Sequence, residues 1–149
     1  MNSKERQTHD AHATVVMVRP AGEDHQVVTL QSVADGKRPF RKELCAQCPW
    51  REDSVGVFPP EAFKHSAATA YDMSSHTFGC HDSGTDRPAA CAGFLLRGAA
   101  HNLRVRLQLM QGNYRGVTDG GHVLHDSYRS MAIANGVDPA DPVLERCRE

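Results

Sequence analysis

Four of the five cysteines fall within 47 residues, as Cys45-Ala46-Gln47-Cys48, then Cys80, then Cys91. This spacing constrains the chain more than any other feature. Two thiolates spaced C-x2-C on a tight turn can reach one ion, and two more from later segments complete a tetrahedron. The residues around Cys80 are polar turn formers (Asp82-Ser83-Gly84-Thr85-Asp86), a poor setting for thiols buried only as small hydrophobes. Zn2+ suits an all-thiolate tetrahedron, and a 4Fe-4S cluster is the alternative, although the ferredoxin run of closely spaced cysteines is absent. The metal set expected is therefore Cys45, Cys48, Cys80 and Cys91. His81 is an alternative ligand, in a site of three cysteines and one histidine, because it directly follows Cys80. Cys147, in the charged stretch Glu145-Arg146-Cys147-Arg148-Glu149, reads as a bystander.

An odd number of cysteines argues against a disulfide framework. So does the polar segment Met1 to His12, which lacks the apolar stretch of a secretory signal. No apolar run approaches the roughly 20 residues of a membrane span. The expectation is a soluble, cytoplasmic protein with reduced thiols. With 149 residues, 40% of them hydrophobic but only 6% aromatic, the chain suits one domain with a lean core. A metal would add folding free energy to such a core. Lys and Arg number 17 against 18 Asp and Glu, and a net charge of −1 excludes a generally basic nucleic-acid coat.

Residues 1–12 read as a flexible arm and 13–149 as a single metal-binding domain. Thr14–Arg19 and Gln26–Leu30 are β-rich runs around Pro20-Ala21-Gly22-Glu23-Asp24, which predicts a β-hairpin within 13–35. Phe58-Pro59-Pro60-Glu61 predicts a helix to about Tyr71. The longest helix is expected from about Ala92 to Gln111, with Leu95, Leu96, Ala99, Leu103, Leu107 and Met110 as its core face. Asp126 is a candidate cap for a further helix to Ala134, stopped by Asn135-Gly136. The fold class expected is α+β: a small metal-stabilised domain with an N-terminal hairpin, a four-cysteine knot and two or three helices.

Charge is distributed less evenly than its sum implies. From Arg87 through Thr118 there is no Asp or Glu, yet Arg87, Arg97, Arg104, Arg106 and Arg115 lie there. Arg97, His101, Arg104, Arg106 and Arg115 are the candidate contacts to a protein or nucleic-acid partner.

The strings Cys45-Ala-Gln-Cys-Pro-Trp-Arg51, Gly56-Val-Phe-Pro-Pro-Glu61, Phe78-Gly-Cys-His81, Cys91-Ala-Gly-Phe-Leu-Leu-Arg-Gly98 and Met131-Ala-Ile-Ala-Asn-Gly-Val-Asp-Pro139 carry a resemblance. Over roughly 40–142 the chain resembles a domain-of-unknown-function family of small bacterial and phage proteins. The resemblance implies a shared metal-like set at Cys45, Cys48, Cys80, His81 and Cys91, and no established reaction.

Catalytic readings are weaker. A zinc deaminase needs H-x-E ahead of P-C-x-x-C, and no H-x-E occurs. A thioredoxin-like dithiol needs a buried strand before Cys45, where Arg38 to Glu43 stand instead. A metal-dependent nuclease could draw on His81, Asp82, His101 and Asn102, with Arg97 or Arg104 on a phosphate, and is kept as an alternative. The function expected is a zinc-stabilised interaction module without catalytic residues.

Overall fold

The fold is taken from a computed structural model, which describes residues 13–32, 39–84 and 88–148. The expected arm at 1–12, part of the basic connector and Arg87 lie outside the described residues. Strands β1 (Ala13–Pro20) and β2 (Gln26–Ser32) form an antiparallel hairpin with a bulge between Val15 and Met17. Its turn rests on the body of the molecule. Ala21 is fully buried, the His25 ring meets Phe58 edge-on at 5.6 Å, and Arg19 donates to the His65 carbonyl at 3.3 Å. The strands beyond that point are exposed at Val15, Val16, Met17 and Val18.

Among the described residues three α-helices follow: α1 (Pro60–Ser66), α2 (Leu103–Met110) and α3 (Tyr128–Ala134). Pro60 opens α1, where a missing N–H costs nothing, and a 3-10 turn over Ala67–Ala70 continues it. The architecture is mixed α+β with an N-terminal hairpin, as expected.

The core is built around Trp50, which is fully buried. Phe78 and Tyr128 each approach its ring edge-on at 5.9 Å, and Phe94 lies at 6.4 Å. Gly93 and Gly98 give it room: a Cβ at either position would stand 2.4 Å from an indole side-chain carbon. Packing this close tolerates no added methyl without movement.

Three sequence expectations are corrected. The long helix from Ala92 to Gln111 is broken. A π-helical turn spans Phe94–Gly98, the chain leaves helical geometry at Ala99, and α2 starts afresh after Asn102. Asn102 is the cause: its side-chain oxygen accepts from Val105 N at 3.0 Å, while its amide donates to the carbonyls of Thr69 and His76. The restart resets the helical phase, so Val105 and Gln108 face inward while Leu103, Leu107 and Met110, expected in the core, face outward. Ser127, not Asp126, caps α3, through a capping box with Ser130. Cys147, a bystander to the cysteine set, nevertheless has a place in the core. It is buried, pairs with Tyr71 in an isolated β-bridge and directs its thiol at the Ala67 carbonyl.

Candidate metal centre

Three chain segments come together to place the cysteines. Ala90 is paired in parallel with Phe40 and antiparallel with Gly79. The bonds run from Arg41 N to Ala90 O, Ala90 N to Pro39 O, Cys80 N to Ala89 O and Cys91 N to Phe78 O, all between 2.7 and 3.0 Å. This small ladder fixes Cys80 and Cys91 on neighbouring segments and leads the chain from Phe40 into the C-x2-C turn. The turn closes with Cys48 N donating to Cys45 O at 3.2 Å. Arg51 braces it, donating to the Ala46 carbonyl at 3.1 Å and pairing both carboxylate oxygens of Asp53.

Within the turn and ladder the sulfurs pair, but among the described residues no three of these cysteines hold their sulfurs within 4.8 Å of one another. Cys48 Sγ and Cys91 Sγ are 3.6 Å apart, and all five cysteines are free thiols. Cys45 lies beside Cys80 and Cys48. Backbone amides of Trp50 and Gly93 hydrogen-bond to the Cys48 sulfur, and those of Gly93 and Phe94 to the Cys91 sulfur. Amides aimed at sulfur favour the thiolate. The Cys48 thiol is held below its ordinary value, first by the hydrogen bond from Cys91 and then by these amides, against the opposing effect of burial. Cys91 is pushed well above its ordinary value by sharing its proton with Cys48 and by burial. Cys45 is pushed up to about 12, by burial first and then by the neighbouring sulfurs of Cys80 and Cys48. Cys45 and Cys91 thus resist ionising beside neighbouring sulfurs, while Cys48 ionises more readily.

The cysteines are not equally accessible. Cys48, Cys80 and Cys91 are buried and Cys45 is half-buried. On the outer side of Cys45, His81 Nδ1 lies 3.6 Å from its sulfur and His81 Nε2 lies 3.1 Å from Asp82 Oδ1. Cys45, His81 and Asp82 offer ligand atoms that all fall within 4.8 Å of one another. Asp82 stands out in the sequence only as a nuclease group; its place beside His81 follows from the 3-10 turn His81–Ser83.

The arginines are placed differently from the cysteines. Arg97, Arg106 and Arg115 are exposed and Arg104 is half-exposed, and among the described residues none of them forms an ion pair with a carboxylate. His101 instead takes part in a clasp at the C-terminal end: its Nε2 is 3.1 Å from Arg148, which holds both oxygens of Asp72. Asn102, considered above as a nuclease group, has its side chain committed to the start of α2.

The chain is thus a small α+β domain with an N-terminal hairpin and a cluster of cysteines, and no helix among its described residues is long and apolar enough to cross a membrane. It belongs to the Family of unknown function (DUF6283), which it matches over residues 40–148, the hairpin lying outside the match. No curated protein and no solved structure matches it.

Proposed function

We propose that the protein is a zinc-binding module in which Cys45, Cys48, Cys80 and Cys91 hold one structural ion and the arginine-bearing side of the domain binds a partner. The 3.6 Å between Cys48 Sγ and Cys91 Sγ carries this reading. Two sulfurs about 2.3 Å from one tetrahedral ion stand about 3.8 Å apart. Sulfurs bound to different irons of a 4Fe-4S cluster stand wider, so the same distance favours zinc over the cluster. The amides directed at Cys48 and Cys91 fit the role, since they offset the charge of sulfurs that a metal would keep deprotonated. Four protein ligands leave no open position for a reacting water, which assigns the ion to stability and not to catalysis.

The partner we infer is an acidic protein surface. Exposed Leu107 and Met110 stand among Arg104 and Arg106, a mixture that suits carboxylates interleaved with apolar side chains. A single-stranded nucleic acid would call for exposed aromatic rings on which bases stack.

Metal content tests the site. Protein purified without oxygen should carry one zinc per chain and be colourless, and removing the ion with a chelator should lower its melting temperature. Cys91→Ser should lose both the ion and most of the stability. Iron with sulfide, or a Cys91→Ser variant with native melting behaviour and native metal content, would sink the proposal.

A further inference from the structure

The four cysteines differ in how solvent reaches them, and the difference is directional. Cys48, Cys80 and Cys91 are buried, so an ion held by all four must come and go on the side of Cys45, the half-buried member. On that side stand two further ligand groups that the four-sulfur site does not use. The side chains of His81 and Asp82 remain 31% and 52% exposed, and their ligand atoms lie within 4.8 Å of each other and of the Cys45 sulfur. The His81 ring is held in place by Phe58, edge-on at 5.1 Å, and Phe58 is itself steadied by His25 of the hairpin turn.

One thiolate, one imidazole and one carboxylate form a ligand set for a divalent ion of zinc's kind, with one position left for water. Such a set is weaker than four thiolates but can be reached from solvent. A buried four-thiolate site is the reverse, tight but closed. Cys45 belongs to both.

We propose that Cys45, His81 and Asp82 are a loading site for zinc, in which the ion first binds at the surface and then passes, still attached to Cys45, to Cys48, Cys80 and Cys91. In the transfer three zinc–sulfur bonds replace the bonds to His81, Asp82 and water. Each thiol that joins as a thiol gives its proton to solvent, and no electron changes hands. Release to an acceptor retraces the path. His81 and Asp82 are transient ligands in this metal traffic, and the proposal rests on the four-cysteine reading above.

The test uses the full chain stripped of metal under reducing conditions, with cobalt and then zinc as the only probes. Cobalt uptake is followed by its sulfur-to-metal absorption band, and zinc release by transfer to a coloured chelator. His81→Ala and Asp82→Asn should reach the same stoichiometry and the same final four-sulfur cobalt spectrum as the wild type. They should load and release the ion about tenfold more slowly, the lower end for removal of auxiliary metal-site groups. Unchanged rates in both variants would overturn the loading site and leave the four-cysteine site standing. A changed final spectrum in His81→Ala would make His81 a permanent ligand, overturning both the loading role and the all-cysteine set. A wild-type chain that takes up no metal would overturn the underlying reading, and the loading site with it. Trp50, the sole tryptophan, reports by its fluorescence whether each variant is folded.

Discussion

His125 is buried, and its imidazole has only a backbone neighbour, Arg51, to one side, with Nε2 lacking any protein partner among the described residues. Burial holds its pKa below the ordinary 6.5, and the nearby charges of Glu52 and Asp126 offset this only in part. Between the lowered folded value and about 6.5 the unfolded chain binds the proton and the folded chain does not, so stability falls as pH drops through that window. His125→Gln should remove this contribution. The loss of melting temperature between pH 7.5 and pH 5.5 should then be smaller in the variant than in the wild type; equal losses would exclude His125 as a source of acid sensitivity. Trp50 shows the same dependence on context. The requirement for Gly93 and Gly98 follows only from where its indole lies.

Among the secondary-structure elements, the break between Gly98 and Leu103 governs what the domain shows to others. A continuous helix would have buried Leu103, Leu107 and Met110; the restart at Asn102 exposes them, Met110 at 83%. The same restart leaves the arginines beside apolar side chains on a surface whose residues 88–118 contain no acid. Arg97→Glu with Arg104→Glu should leave the melting temperature within a few degrees of wild type, since both lie at the surface. Binding to a peptide of alternating glutamate and leucine, followed by fluorescence anisotropy, should weaken at least tenfold in the variant and weaken with salt in the wild type. Salt-insensitive binding that is the same in both, or a preference for duplex DNA over the peptide, would count against the acidic-protein partner. Periodicity misplaced this face because it takes one helical phase for the whole segment, and a single buried asparagine with three hydrogen bonds was enough to change that phase.

For the molecule entire, the hairpin is an attachment and not a wall of the core. The principal buried cluster runs from Cys48 to Cys147 and, among the described residues, includes none of β1 or β2. An isolated two-stranded ribbon is marginal by itself, and this one is held by Ala21, His25 and Arg19 against the body. A chain starting at Pro39 should keep the cooperative melt and metal content of the full protein, with Trp50 fluorescence unchanged. Loss of the metal or of a cooperative transition on truncation would show that the hairpin is integral. The C-terminal end contrasts with it: Cys147 and Leu144 are buried in the cluster, and Arg148 clasps Asp72.

Short spacings and local chemistry settle the features that residues near one another in the chain can encode. The hairpin was legible from two β-branched runs around a turn, the start of α1 from its prolines, and the candidate ligands from C-x2-C and two further cysteines in polar surroundings. The order of those four cysteines from inside to outside was not legible. Packing of distant segments places Cys48 against Cys91 and leaves Cys45 half-buried beside His81 and Asp82. Packing likewise buries Cys147 and exposes four of the six residues of an expected core face, Leu96, Leu103, Leu107 and Met110. These outcomes depend on the ladder at Ala90 and on Asn102 reaching Thr69 and His76, contacts between residues far apart in sequence. No local pattern encodes them, because their energies arise only once the distant segments are packed together.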